Sequence, residues 1–168
     1  MPSASRASWS SGWGTGVAVT AALMLVLAIG VLMPARPDTT WLSAELINHV
    51  RGEPDALAGS AEVPVARVVE AVERGGGRLI GSLGKVTHIA QCRVPGGMGQ
   101  HLVVETARGR VTLILMPGQP LDARAQLSRD GLASVVLPAG RGSAGVVAES
   151  PEALREVEDA VRRRIAWP

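Results

Sequence analysis

The feature that most constrains this chain is an unbroken apolar run, VAVTAALMLVLAIGVLM, from Val17 to Met33. It contains no charge, and counting from Gly14 it is 20 residues long. A helix of that length rises about 30 Å, the hydrocarbon thickness of a bilayer. Pro34 ends the run, and Arg36, Pro37 and Asp38 mark the return to water. Trp9 and Trp13 stand one helical turn apart just before it, where an interfacial aromatic belt would place them. A core helix would carry a polar stripe, which this run lacks. A cleaved signal peptide would have a shorter apolar core and small residues before the cut, and Met33 fits that poorly. The expectation is therefore an uncleaved transmembrane helix over 14–33, after a short cytoplasmic N-terminus over 1–13. A linker over 34–40 and a folded domain over 41–168 complete the organisation, the domain lying outside the cytoplasm, which in a Gram-negative cell is the periplasm.

Charge supports this division. Arg6 is the single charged side chain in residues 1–33, so the remaining 16 basic and 15 acidic groups all belong to the later segment and nearly cancel. The basic run Arg162–Arg164 suits the C-terminal end of a helix, where cations oppose the macrodipole favourably. The chain has four Trp, no Phe and no Tyr, which argues against base stacking and hence against a nucleic-acid partner. One cysteine excludes a disulfide framework and any zinc site with two thiolates.

Within 41–168 the periodicity predicts an α+β fold. Leu42, Leu46, Ile47 and Val50 form one helical face, and Val65, Val68, Val69 and Val72 form another on a segment opened by Pro64 at a first helical position. After Gly75–Gly77 the period shortens. Short strands are expected at 78–80, 85–94, 100–106, 111–116, 134–137 and 145–148, giving a mostly antiparallel sheet of five to six strands. Ser150 then caps a last helix opened by Pro151, with Leu154, Val157, Val161 and Ile165 on its buried side.

One constellation carries possible chemistry. If Val94 pairs with Gly99 across the glycine-rich turn, Cys92 faces His101 and His88 faces Glu105, all on one face of the sheet. Cys92 and His101 are then candidate metal ligands for Zn or Cu, or a thiol–imidazole pair for redox or nucleophilic chemistry. A five-residue loop would instead send His101 to the opposite face. His88 and Cys92 lie about 13 Å apart along an ideal strand, too far to share one ion without a bend. The plainer alternative is a buried cysteine used for packing and a histidine bonded to backbone. His49, on the first helix, has no evident companion. No Walker loop, GxSxG or HExxH occurs, and no motif for an organic cofactor is present.

The segments HVRGEPDAL, GRLIGSLGKVTHIAQC, QHLVVETARGRVTLILMPG and VVLPAGRGSAGVV together resemble the extracytoplasmic domain of an uncharacterised bacterial DUF family of single-pass membrane proteins. Some members of that family carry anti-sigma-like cytoplasmic segments. The resemblance implies an inner-membrane protein with a periplasmic domain, and no established activity. The residues before the span here hold no Cys or His, so they match no zinc-binding anti-sigma helix. The function expected is non-enzymatic: a membrane-anchored domain that binds a protein partner in envelope signalling or anti-sigma-type regulation. The alternative is a metal- or thiol-redox sensor using Cys92 and His101.

Overall fold

A computed structural model describes residues 39–168. The expected N-terminus, membrane span and most of the linker lie outside the described residues. Among the described residues no helix is long and apolar enough to cross a membrane. The described residues form one compact unit.

The fold is α+β. Helix α1 (Thr40–Gly52) is followed by a 3-10 turn (Pro54–Leu57) and helix α2 (Val65–Arg74). Strand β1 (Arg78–Leu79) precedes two three-stranded meanders. The first comprises β2 (Lys85–Val94), β3 (Gly97–Thr106) and β4 (Gly109–Met116). The second comprises β5 (Ala125–Arg129), β6 (Leu132–Ala139) and β7 (Gly142–Ala148). Helix α3 (Pro151–Arg164) and β8 (Ile165–Ala166) close the chain. The meanders join through β4 and β7 into one antiparallel sheet of order β2-β3-β4-β7-β6-β5, while β1 and β8 form a separate pair.

The helices cover both faces of the sheet. On one face α2 and α3 bury Val68, Val72, Leu154, Val157 and Val161 against Leu102, Val104, Leu113, Leu115, Val135 and Val146. On the other, α1 lies across β5, β6 and β7 and buries Leu42, Leu46, Ile47 and Val50. Its seat is Gly145, where an added Cβ would collide with Leu46. A missing side chain in the middle of the sheet thus lets the helix approach closely. Two polar clamps fix its outer side: Arg51 donates to the carboxylate and the carbonyl of Asp130, each at 2.8 Å, and Arg129 donates to Asn48 Oδ1 at 2.6 Å.

Several expectations are corrected. Pro64 is the N-cap of α2 and not its first residue. Pro54–Leu57, for which no element is expected from the sequence, form the 3-10 turn. Ile165 leaves α3 to pair with Leu79 in β8. Strand β5 was not expected. It is an edge strand with mostly exposed side chains, joined to β6 by Asp130 (φ 53°) and Gly131 (φ 81°). Two successive positive φ angles are those of a type I′ hairpin turn.

The β2–β3 register also differs. Val94 pairs with Gly97, so only Pro95 and Gly96 form the turn. Gly96 has φ 82°, and a Cβ there would strike the backbone of Gly118. Both the turn and that close approach require glycine. The pairing therefore slips by two residues from the expected one. Cys92 faces Gly99, and His101 faces Ala90. A slip of two preserves the face, so Cys92 and His101 still share it.

Candidate functional site

The residues meet where three elements converge. Ala90, His101, Ile114, Gly145 and Val136 form one rung across five strands. Leu46 rests on Gly145. His49 follows three residues later, on the same side of the helix, and comes over the His101 end of the rung. The two imidazole rings stand 5.6 Å apart, centre to centre. Cys92, one pleat along β2, completes the group. Candidate ligand atoms of His49, Cys92 and His101 all lie within 4.8 Å of one another.

His49 had been expected to stand alone; the docking of α1 gives it companions. His88 is placed differently from expectation. A β-bulge between Val86 and His88 sets it opposite Val103, while Glu105 faces Lys85 and accepts hydrogen bonds from its Nζ at 3.1 and 3.2 Å. The His88 ring meets His101 edge-on, with centres 5.5 Å apart, outside the three-ligand group. All three histidines and the only cysteine of the chain are thus gathered in one region.

Glu53 is the residue that sequence reasoning missed. It follows the last residue of α1, and its Oε2 lies 3.0 Å from His101 Nδ1 and 3.6 Å from His49 Nε2. In the sequence it reads only as part of a helix stop. The available signal was its spacing: His49 and Glu53 are four residues apart, one above the other at a helix end.

The electrostatics disfavour free-thiol chemistry. Burial, reinforced by the nearby negative charge of Glu53, pushes the Cys92 thiol up to about 11. At neutral pH it is protonated and a weak nucleophile. Burial also lowers the proton affinity of His101, against the opposing hydrogen bond and charge of Glu53; His49 and His88 lower it further. A neutral imidazole offers a lone pair. His49 Nε2 and His101 Nε2 are both buried without a hydrogen-bond partner. Unpaired buried nitrogens are costly, and they are the atoms that a bound ion would satisfy. The surface cavities of about 370, 340 and 490 Å³ are lined by other residues. One thiolate and two imidazoles suit Zn²⁺ or a copper ion, at bond lengths of about 2.0–2.3 Å.

A family model described as a protein of unknown function (DUF3379) matches residues 6–165, so the chain belongs to that family. No curated protein and no solved structure matches it.

Proposed function

We propose that this chain is a single-pass inner-membrane protein whose periplasmic domain senses a transition-metal ion, Zn²⁺ or copper, through His49, Cys92 and His101. Of the two functions anticipated from the sequence, metal sensing and partner binding, the geometry favours the first as the primary event. The observation that carries this reading is the convergence of the three side chains with two buried, unpartnered imidazole nitrogens. The apolar run Val17–Met33 and the family resemblance support the membrane setting. The thiol-redox variant is less favoured, because a thiol held near 11 is unreactive until a metal displaces its proton.

The ligands also suggest how occupancy is read. His49 comes from α1, which packs over the second meander; Cys92 and His101 come from the β2–β3 hairpin of the first. A bound ion ties α1 to that hairpin. In the sequence α1 follows the expected membrane span after a short linker. A protein partner in the membrane or periplasm, of the envelope-signalling or anti-sigma kind, would distinguish the tied state from the free one. The domain itself performs no catalysis in this scheme.

The test is cobalt titration of the detergent-solubilised full chain. Co²⁺ is expected to bind with a thiolate-to-metal charge-transfer band that disappears in Cys92→Ser, and Zn²⁺ is expected to displace it. His49→Ala and His101→Ala should each weaken binding. If the wild-type chain takes up neither Co²⁺, Zn²⁺ nor copper, the reading fails. Partner capture from membranes should then depend on metal loading; equal capture by loaded and chelator-treated protein would remove the sensing step.

A further inference from the structure

We propose that Glu53 is a positioning residue of this metal site: it holds His101 in the tautomer protonated at Nδ1, so that Nε2 is the ligand atom, and its charge selects a divalent ion. The proposal rests on the metal-binding reading above and adds a fourth residue with a different task.

The argument begins with donor and acceptor chemistry. Glu53 Oε2 lies 3.0 Å from His101 Nδ1, a hydrogen-bonding distance. An ionised carboxylate can only accept, so Nδ1 carries the proton. In a neutral imidazole the lone pair then resides on Nε2. That nitrogen is buried and unpartnered, and His101 as a whole is 1% exposed. The carboxylate thus satisfies one ring nitrogen and leaves the other for an ion, the arrangement by which carboxylates orient metal-binding histidines elsewhere. Nothing else in the described residues hydrogen-bonds the His101 ring.

Charge gives the second part. A divalent ion bound by two neutral imidazoles and one thiolate leaves a net +1 in a buried site. A buried unpaired charge is expensive, and the Glu53 carboxylate brings the local sum to zero. With Cu⁺ the thiolate alone reaches zero, and Glu53 would leave an excess negative charge. The residue therefore favours Zn²⁺ or Cu²⁺ over Cu⁺. Its position is compatible with this role: it is partly exposed at the end of α1, its backbone N–H donates to the Val50 carbonyl at 3.3 Å, and Pro54 follows at once.

Two measurements test the proposal separately from the site itself. The first needs no metal: ¹⁵N imidazole NMR of the metal-free full chain should show His101 protonated at Nδ1, and Glu53→Ala should move the proton to Nε2 or mix the two forms. A wild-type His101 already protonated at Nε2 overturns the proposal. The second is Co²⁺ and Cu⁺ affinity in Glu53→Ala and Glu53→Gln. Loss of an orienting carboxylate weakens metal binding about 10–100-fold. Glu53→Ala should lose that much for Co²⁺ with an unchanged cobalt ligand-field spectrum. Glu53→Gln retains the acceptor, so it should lose less for Co²⁺ and nothing for Cu⁺. Wild-type affinity in Glu53→Ala overturns the positioning role, and a changed cobalt spectrum overturns it by making Glu53 a ligand; in both cases the three-residue site survives. Absence of any metal binding by the wild type removes site and proposal together.

Discussion

The two faces of the central sheet are built from the same strands to opposite specifications. The face under α2 and α3 is aliphatic almost throughout, with Val, Leu, Ala and Ile from β2 to β7 closing against the helices. The face under α1 carries a smaller apolar cluster interrupted by polar groups. By strand register, His101, Thr112, Ser134 and Ser143 point to the α1 side, and Ser43 joins them from the helix. Among the described residues, six of the eight buried side-chain polar atoms without a hydrogen-bond partner belong to this side, counting His49. One face is thus optimised for packing, and the other tolerates unmet polar groups that packing alone would remove. Such departures mark the place where a protein keeps something other than stability.

The comparison can be broken by substitution. The largest effect is expected on the dry face. Leu113→Ala, at a fully buried position, should cost about 2–5 kcal/mol in chemical denaturation. A loss below about 1 kcal/mol would mean that this face is not the principal source of stability.

Next comes the pH dependence of metal binding on the α1 face. Cys92 is protonated in the free chain up to about 11 and must be a thiolate in the complex. Binding therefore releases one proton from Cys92, and with His101 already disposed to be neutral, Kd should fall about tenfold for each pH unit between roughly 7 and 9. Competition with a calibrated chelator measures the slope. In Cys92→Ser the residual binding should lose it, and a flat wild-type profile would exclude Cys92 as a ligand.

The smallest effect discriminates best between the faces. Thr112→Val removes a buried, unpartnered hydroxyl and keeps the shape, so stability should stay within about 1 kcal/mol or rise. A loss of several kcal/mol would show that the hydroxyl has a partner and that the two faces differ less than their side chains suggest.

Much of this organisation was legible in the sequence, and the rest was hidden for identifiable reasons. Helix α3 announced itself: Ser150 accepts from the Ala153 N–H as a cap should, at 3.2 Å, and Pro151 occupies the first turn. The continuous VTLILM segment marked β4, which is central and covered on both faces. Strand β5 was missed because AQLSR has little strand preference and lies at an exposed edge, although the Asp130–Gly131 pair after it is a strong hairpin signal. The common face of Cys92 and His101 could be argued from alternation, since parity survives a two-residue slip. His49 and Glu53 could not be placed from alternation at all. They reach the site only because α1 docks at Gly145, and where a helix lands on a sheet is a tertiary fact that no local pattern encodes. The stronger hint was compositional: three histidines and one cysteine in 168 residues are few enough to ask whether they meet.

The absence of tyrosine also has an optical consequence. Near-ultraviolet emission of the chain comes from tryptophan alone, and the two tryptophans of the described domain sit on elements of opposite allegiance. Trp41 is half-exposed on α1, two helical turns before His49, whereas Trp167 follows β8 and stacks over Gly77 at the margin of the aliphatic core. With Trp9 and Trp13 replaced, each remaining fluorophore would report one side of the sheet. The domain carries its own pair of intrinsic probes, one on α1 and one at the margin of the aliphatic core.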